Sequence, residues 1–461
     1  MMRFSRCDAM GRLRVMATGA AVVATAASMA FGVGVSPAGA ASAATPGVTN
    51  TTITLGATEP LTGIAANYSD IAPAMDAVFK WANAHGGVNG RKIIFDIKDD
   101  QYTPSLTATE THQLVLQDNI FADVGSLGTP TQLAVQGYLN SQKVPQLFVL
   151  SGCNCWSNSR YPYTSGWEPP YSVDGKILGS YVAKTFAGEK VGFFTQDDEF
   201  GKDFLKGAQM EIKARSIVGS QTYSATTAAF VAGVNTQVAA LQKARAQVVM
   251  MAAIPPFTGL FLTAAATLGY HPQLIIDSVS SDPIAIGSAA ELSTPPPATQ
   301  AVLNGAITEV YVPPEDETSN PWVIVANKLI SDYDPSLLAT NGLTSDELVG
   351  VGVGYTVVEA LQAAGRNLTR QGLLNAIASK AKSFANPGYV PYSYSASVHY
   401  GYEGEQLERI STSAPAVVVP GGRYMGLEPV GPVYRTSPGP GPVTVYHGHE
   451  DPVPAKLAKT A

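Results

Sequence analysis

The chain has 461 residues, of which 29 are basic and 36 acidic, so its formal net charge is −7. An acidic chain with scattered Lys and Arg argues against nucleic acid or an anionic membrane as partner. Three cysteines are too few for a disulfide scaffold, so a large apolar core must stabilise the fold. The length suits two domains.

Residues 1–40 have the features of a secretory signal. Four arginines lie within the first 14 residues, an Ala/Val/Met-rich run extends from about Val15 to Val35, and an Ala-x-Ala end follows near Ala40. Glycines and small residues make the run weakly apolar for a membrane anchor, which is the alternative. Cys7 precedes the run, so it cannot be the lipid-bearing cysteine of a lipoprotein. We expect an exported protein, periplasmic, cell-envelope-bound or secreted.

From Thr51 onward, strand and helix patterns alternate. The expected strands are Ile53–Ala57, Lys92–Asp99, Phe121–Gly125 and Gln146–Leu150. Between them we expect helices at Ile71–Ala82, Thr103–Asn119 and Thr129–Ser141, the last two opening on Thr-Pro, which is typical of a helix start. This order predicts an α/β fold with a parallel sheet covered by helices on both faces.

A second alternating set begins near Tyr171 and predicts a second lobe of the same kind. Its expected strands are Lys190–Thr195, Ser220–Tyr223, Gln247–Ala252, Gln273–Asp277 and Ala306–Val312. Its expected helices are Gly175–Phe186, Gly201–Arg215, Val234–Leu241 and Phe257–Leu268, and three more follow at Pro321–Tyr333, Ser345–Ala364 and Thr369–Lys380. Val390–Ile410 has a strand-like pattern. Residues 431–461 carry the run SPGPGP and little apolar surface, so we expect a tail.

The stretch SGCNCW at residues 151–156 holds Cys153 and Cys155. Redox catalysis normally uses Cys-x-x-Cys at a helix start, and no histidine shows the spacing of a shared metal site, so we predict no metal site and no catalytic thiol. A disulfide between the two cysteines requires a bent backbone and is left open. The stretch follows a predicted strand, and ligands bind at the carboxyl ends of parallel strands. We therefore expect SGCNCW to form the floor of a pocket.

Six motifs in this order resemble one family, the branched-chain-amino-acid type of solute-binding protein of ABC importers, with the type I periplasmic binding protein fold. The motifs are ITLGATEPLTGIAANY (53–68), NAHGGVNGRKIIFDIKDDQYTP (83–104), DVGSLGTPTQLA (123–134), VPQLFVLSGCNCW (144–156), YPYTSGWEPPY (161–171) and QDDEFGKDFLKG (196–207). The resemblance covers roughly residues 51–412.

The resemblance implies two doubly wound lobes that the chain crosses three times, near Gly166, Thr308 and Ser393, and that close over a small ligand. The expected boundaries are residues 51–166 and 308–393 for the first lobe, 167–307 and 394–430 for the second, and 431–461 for the tail.

The family's ligand-binding positions carry over to matching residues here. They are Tyr68, Leu127, Gly128, Thr129, Gly152, Cys153, Asn154, Phe200, Ile254 and Val279. Trp156 and Phe257 are expected to add aromatic surface. Thr129 is expected to cap its helix and help to bind a carboxylate, because helix N-termini attract anions; an ordinary cap without a ligand is the alternative.

Two departures from the family pattern bear on the ligand. Leucine/isoleucine/valine binders carry a Tyr and an acidic residue where this chain has Ile254 and Val279. A buried ammonium needs a carboxylate partner, and Asp277 and Asp282 are only near this position. We therefore expect an aromatic or short organic acid ahead of a leucine-like amino acid, with binding of leucine that is lost in Asp282→Asn as the contradicting result.

The expected function is capture of a small organic acid or amino acid and its delivery to the membrane permease of an ABC importer, by a monomer without cofactor. The acidic pairs at Asp99–Asp100 and Asp197–Glu199 end strands and open loops, where acids are normally solvated, and no hydrolase or phosphate-binding motif is present. The alternatives are the sensor component of a receptor and a secreted hydrolase or thiol enzyme.

Overall fold

The computed structural model describes residues 45–289, 297–414, 418–419, 422–423, 425–449 and 451–458. The predicted signal sequence, residues 1–40, lies outside them. None of the helices in the described ranges is both long and apolar enough to cross a bilayer.

The first sheet has five parallel strands in the order β2-β1-β3-β4-β5. They are β1 Thr52–Glu59, β2 Lys92–Asp99, β3 Ala122–Val124, β4 Gln146–Val149 and β5 Thr164–Gly166. β1 and β2 pair along their whole length, from Thr52 opposite Lys92 to Glu59 opposite Asp99. The sequence predicted the first four strands; β5 is too short to give a pattern of its own.

Helices cover both faces of this sheet. They are α1 Ile71–Ala84, α2 Pro104–Leu116 and α3 Thr129–Ser141, to which the later chain adds α11 Pro321–Tyr333, α12 Ser345–Ala364 and α13 Arg370–Lys380. Apolar residues of α1, α11 and α12 form one core with the sheet, and those of α2 and α3 form another. The glycines of α12 permit close packing: a Cβ on Gly350 would lie 2.4 Å from the carbonyl oxygen of Ile71.

The second sheet has eight strands in the order β15-β14-β11-β10-β9-β8-β6-β7. They are β6 Val191–Gln196, β7 Ile217–Tyr223, β8 Val248–Ala252, β9 Gln273–Ile276, β10 Ile307–Val310, β11 Gly404–Ser411, β14 Gly426–Arg435 and β15 Thr444–Val445. β12 Val418–Val419 and β13 Gly422–Arg423 form a separate hairpin. The strands from β6 to β10 are parallel, and β11, β14 and β15 add antiparallel pairs at one edge.

Both faces of the second sheet are buried as well. Its helices are α4 Tyr171–Thr185, α5 Glu199–Glu211, α6 Thr227–Ala232, α7 Asn235–Lys243, α8 Pro255–Thr267, α9 Pro283–Ala289 and α10 Pro297–Leu303. Successive side chains of a strand point to opposite faces, so Met250 packs with α4 and α5 while Met251 packs with α7 and α8. The predicted α/β fold with two doubly wound lobes is confirmed.

The chain passes between the sheets at residues 167–170, 311–320 and 384–403, and these passages meet at an aromatic cluster. The cluster consists of Trp167, Tyr311, Tyr392 and Tyr402, with neighbouring ring centroids 5.0–5.8 Å apart. Thr308, at which we expected the second crossing, lies in β10, and the passage follows that strand. Gly401 allows the close approach, because a Cβ there would lie 1.8 Å from the carbonyl oxygen of Trp167.

The segment after Gly431 differs from the expected tail. β14 continues to Arg435. The ammonium group of Lys176 donates hydrogen bonds to the start of the SPGPGP region and to the residue before it. Its Nζ donates to Thr436 Oγ1 at 2.7 Å, to the carbonyl oxygen of Ser437 at 2.9 Å and to that of Gly439 at 2.8 Å. Such contacts cannot be predicted from a proline- and glycine-rich sequence without an apolar pattern. Two of the three are made by backbone carbonyl groups, which every residue carries.

Residues beyond β15 return to the helices of the first sheet. Trp322 donates its indole N–H to the carbonyl oxygen of Asp451 at 3.1 Å, and the amide of Asn386 donates to the Asp451 carboxylate at 2.6 Å. The short helix α14, Ala455–Ala458, places Leu457 in the first-sheet core with no exposed surface. The C-terminal segment thus forms a further connection between the two halves.

We expect Leu457→Ala to lower the free energy of unfolding by about 2–4 kcal/mol, because the substitution removes a fully buried side chain. The measurement is urea unfolding at pH 7. Leu116→Ala is the matched control: Leu116 is 70% exposed at the end of α2, and its replacement should change the free energy by at most about 0.5 kcal/mol. Equal stability of the two variants would show that the C-terminal segment is not docked in solution.

Candidate ligand cavity between the two sheets

A cavity of about 100 Å³ lies between the carboxyl ends of the two sheets. From the first half it is lined by Tyr68, Tyr102, Leu127 and Gly128, which follow β1, β2 and β3. From the second half it is lined by residues that follow β6, β8, β9 and β10. Since the strands of each sheet are parallel here, their ends gather these loops at one edge.

Gly128 lies at this edge and has a backbone conformation that favours glycine. Its φ is +105°, and a Cβ would lie 2.5 Å from Thr131 Oγ1 and 2.6 Å from the ring of Tyr102. Only glycine adopts such a backbone without strain. The missing side chain lets the Tyr102 ring pack beside α3 and form part of the cavity wall.

Polar contacts join the two walls of the cavity. Tyr68 donates its hydroxyl to the carbonyl oxygen of Val279 at 2.9 Å. The hydroxyl of Tyr102 lies close to the side chain of Gln196, and the carboxylate of Asp282 lies close to Ser345. The hydroxyl of Tyr171 lies close to those of Thr129 and Ser151, which form a hydrogen bond of 2.7 Å with each other. The two halves are therefore in contact around the cavity, as in a closed state.

Three carboxyl groups, those of Glu168, Asp282 and Asp346, line the cavity. Among the described residues, no lysine, arginine or histidine lines it. Asp282 is 7% exposed, and its carboxylate accepts a 2.6 Å bond from the backbone N–H of Ile284 at the start of α9. The cavity thus combines an acidic patch with aromatic and aliphatic surface.

Removal from bulk water shifts the acidity of these groups. Burial raises the pKa of Glu168 to about 8, although a hydrogen bond with Tyr311 opposes the shift. Burial, followed by the charges of Glu347 and Asp282, raises the pKa of Asp346 well above its ordinary value. Burial also raises the pKa of Asp282, against the effect of the Ile284 N–H. Around neutral pH part of the acidic patch is therefore protonated.

Half of the residues expected at the site line the cavity. They are Tyr68, Leu127, Gly128, Phe200, Ile254 and Val279. Phe257 lies behind Ile254, where its ring stacks on Tyr223 at a centroid distance of 4.0 Å. Thr129 is the first residue of α3 rather than its cap, which is Gly128, and its hydroxyl is occupied by Ser151.

SGCNCW lies away from the cavity lining, contrary to the expected pocket floor. The ring of Tyr171 covers the stretch: a Cβ on Gly152 would lie 2.8 Å from it, and the backbone N–H of Tyr171 donates to the carbonyl oxygen of Gly152 at 2.6 Å. Trp156 is 1% exposed and donates its indole N–H to the carbonyl oxygen of Ser151 at 2.8 Å. The backbone N–H of Asn154 donates to Asp203 on α5 at 2.9 Å.

Cys153 and Cys155 form a disulfide with their Cα atoms 5.1 Å apart. The bent backbone that such a bond requires is a short 3-10 helix at Asn154–Trp156. The stretch packs against the first passage between the sheets, and it carries no free thiol.

Sequence reasoning missed several residues that line the cavity, namely Tyr102, Glu168, Tyr171, Tyr311 and Asp346, and it named Asp282 only as a residue near the position of an ammonium partner. Three of them stood in quoted motifs: Tyr102 in residues 83–104, and Glu168 and Tyr171 in the Trp-Glu-Pro-Pro-Tyr run at residues 167–171. The ends of β2 and β5 were therefore usable signals. Asp346 opens α12, far along the chain, and no local pattern connects it to the cavity.

Comparison with solved structures finds many chains of similar fold, including the following three. The fatty acid ABC transporter substrate-binding protein from Thermomonospora curvata is 22% identical, with a TM-score of 0.69 over 84% of this chain and 94% of its own. A branched chain amino acid ABC transporter protein from Thermus thermophilus with bound valine is 16% identical, with a TM-score of 0.69 over 85% and 98%.

The third is a solute binding protein of an ABC transporter from Rhodopseudomonas palustris BisB5 in complex with 3,4-dihydroxy benzoic acid. It is 19% identical, with a TM-score of 0.63 over 82% of this chain and 96% of its own. At these identities the likeness shows the fold alone. A comparison with curated proteins finds no significant match.

A family model matches residues 52–399, which include both sheets' parallel strands and the loops that line the cavity. The match covers most of the chain, and it agrees with the resemblance that the six motifs indicated. The chain belongs to the periplasmic binding protein family.

Proposed function

We propose that this protein is an extracytoplasmic solute-binding component that captures a small molecule between its two halves and delivers it to an ABC importer. The observation that carries the proposal is the cavity itself, whose walls come from both sheets and are joined by hydrogen bonds across it. A ligand that contacts both walls favours the closed state, because it binds that state more tightly than the open one. The membrane permease of the importer is the expected partner.

The acidic patch changes the ligand class that we favour. Our prediction of an organic acid depended on the lack of a carboxylate for an ammonium group, and Asp282 lines the cavity together with Glu168 and Asp346. A ligand carboxylate beside these groups would have no basic side chain to pair with, which is costly in a buried site. We therefore propose a small amine-bearing solute, with an amino acid ahead of a simple organic acid.

The size and the remaining lining support a small ligand. The cavity volume of about 100 Å³ is below the roughly 150 Å³ of a cavity that accommodates benzene. Tyr68, Phe200 and Val279 offer apolar surface for a short side chain. Gly128, the N-cap of α3, lines the cavity, and helix N-termini favour a carboxylate.

The direct test is native mass spectrometry and thermal-shift measurement of the purified chain with amino acids, small amines, aromatic acids and fatty acids. We expect a stabilising ligand that is recovered without chemical change. Conversion of a bound compound into products would instead favour the alternative of a secreted enzyme on this scaffold.

We expect the dissociation constant of an amine-bearing ligand to decrease as pH rises from 5 to 8, by up to about tenfold per pH unit for each proton released. The reason is that the ligand binds the ionised acids, whose pKa values are raised. Calorimetry across this pH range measures the effect. The dissociation constant of an organic acid would instead increase with pH, because ionised carboxylates repel its own carboxylate.

Asp282→Asn should weaken an amine-bearing ligand by about 100-fold or more, since loss of one partner leaves a buried charge unpaired. Asparagine preserves the cap at the start of α9, so the variant should fold. The matched control is Asp197→Asn, because Asp197 is exposed at the end of β6. Unchanged affinity in the Asp282 variant would exclude an ammonium at this position.

We expect the ligand-free protein to lose stability as pH rises from about 5 to 8, and Glu168→Gln to reduce this loss by about 1 kcal/mol per pH unit. The folded protein holds a proton on Glu168 up to about pH 8, whereas the unfolded chain releases it near the ordinary pKa. The stabilisation is therefore complete below that ordinary value and disappears as pH approaches 8. Urea unfolding at several pH values measures it, and parallel curves for the variant and the unmodified protein would contradict the expectation.

A further inference from the structure

A second group of acidic side chains lies inside the second half, apart from the ligand cavity. Asp174, Glu309 and Glu405 are each at most 1% exposed, and one carboxylate oxygen of each lies within 4.8 Å of those of the other two. Asp277 joins them: it is fully buried, and its carboxyl group interacts with that of Asp174.

The sheet and one helix bring these four residues together. Glu309 lies opposite Leu407 in the antiparallel β10–β11 pair, and Glu405 is two residues along on the same face. On the other side Thr308 lies opposite Ile276 in the parallel β9–β10 pair, so Glu309 is next to Asp277. The first turn of α4 packs over this face and adds Asp174.

These carboxylates have almost no hydrogen-bond donors. The backbone N–H groups of Ser278 and Val279 reach one oxygen each on Glu309 and Asp277, at 3.0 and 3.1 Å. Both oxygens of Glu405, and one each of Asp174, Asp277 and Glu309, have no donor. The carboxyl group of Asp174 is a polar neighbour of Glu405, and the two can act as hydrogen-bond partners only if one of them carries a proton.

No basic side chain compensates the group. Among the salt bridges of the described residues, none includes any of the four acids. Lys176 lies two residues from Asp174, but its ammonium bonds to residues 436–439. Several carboxylates buried without a cation are strongly unfavourable, so either protons or a metal ion must neutralise them.

We propose that Asp174, Glu309 and Glu405, assisted by Asp277, bind a hard divalent cation, with Ca²⁺ as the first candidate. Ca²⁺ takes six to eight oxygen ligands at 2.3–2.6 Å, so two oxygens on opposite sides of one ion are about 4.6–5.2 Å apart. The oxygens of the three acids fit within that span. A donor set of carboxylates alone favours Ca²⁺, Mg²⁺ or Mn²⁺ over the softer metals.

The cation would stabilise the cavity wall of the second half. Asp277 directly precedes Ser278 and Val279, and Glu309 directly precedes Val310 and Tyr311. The four residues that follow the two acids line the cavity. No sequence pattern predicts this site, because its residues come from α4, β10, β11 and the end of β9 and have no motif spacing. The inference does not depend on the identity of the transported solute.

The first test is metal analysis of the unmodified, full-length protein. The protein is purified without chelator, and its metal content is measured by inductively coupled plasma mass spectrometry. We expect about one divalent ion per chain. Dialysis against EDTA at pH 7.5 should lower Tm, and adding Ca²⁺, Mg²⁺ or Mn²⁺ alone should raise it again by about 3–6 °C at about 100 times Kd. Ca²⁺ should act at the lowest concentration.

Two variants and a control locate the effect. Glu405→Gln and Asp174→Asn should each reduce the metal content at least tenfold and abolish the response of Tm to the cation. Glu408→Gln is the control, because Glu408 lies in the same strand, is 1% exposed and also lacks donors, but does not belong to the group. It should keep the metal content of the unmodified protein.

The opposing result is a protein without bound metal whose Tm is unchanged by EDTA and by all three cations. Shared protons would then neutralise the group, and burial would hold the pKa of Glu405 at about 7. Equal loss of metal in Glu408→Gln would also overturn the proposal, since the binding would not be specific to this group. Ligand affinity in the cavity is measured separately, so failure here leaves the solute-binding proposal unaffected.

Discussion

The structure depends on the packing of four aromatic rings where the chain passes between the two sheets. Trp167, Tyr311, Tyr392 and Tyr402 come from all three passages, so each passage is fixed by the other two. The indole N–H of Trp167 bonds to Thr356 at 3.2 Å and to Tyr392 at 3.1 Å, which leaves no unsatisfied donor in this ring. Buried aromatic rings in edge-to-face contact combine large apolar burial with a defined orientation.

The aromatic cluster determines the position of the cavity. Glu168 follows Trp167 in sequence, and Tyr311 belongs to both the cluster and the cavity lining. The contacts that join the walls farther out are single hydrogen bonds, each of which contributes about 0.5–1.5 kcal/mol net. A few such bonds give a closed state of modest stability. A ligand that pairs with the acidic patch and the opposite wall can therefore shift the balance between closed and open forms.

Two sets of acidic residues lie in different environments in this protein. The carboxyl groups of Glu168, Asp282 and Asp346 border a cavity, so a ligand that enters can neutralise them. Those of Asp174, Asp277, Glu309 and Glu405 are buried between the sheet and α4 and do not line that cavity. The distinction follows from burial and not from sequence, since both sets contain ordinary Asp and Glu residues after strands or at helix starts.

The sequence alone determined the elements whose signals are local. The expected bounds of α3, α11 and α12 agree with those of the structure. Helix starts depend on neighbouring residues: Thr-Pro opens α3, Asn320 caps α11 and a capping box at Thr344 starts α12. The alternation of strands and helices gave the parallel sheets, and six motifs in order gave the family. Six of the site residues that the family resemblance implied line the cavity, in loops and helix starts that come after parallel strands.

Tertiary structure decided what depends on distant segments. Tyr171, instead of SGCNCW, forms the wall beside Leu150, because the first passage returns α4 across the end of β4. Asp346 reaches the cavity from the start of α12, and the C-terminal segment docks through Lys176, Trp322 and Leu457. Periodicity and capping report only on neighbours along the chain, whereas these contacts arise from packing between segments that are about 20 to more than 200 residues apart.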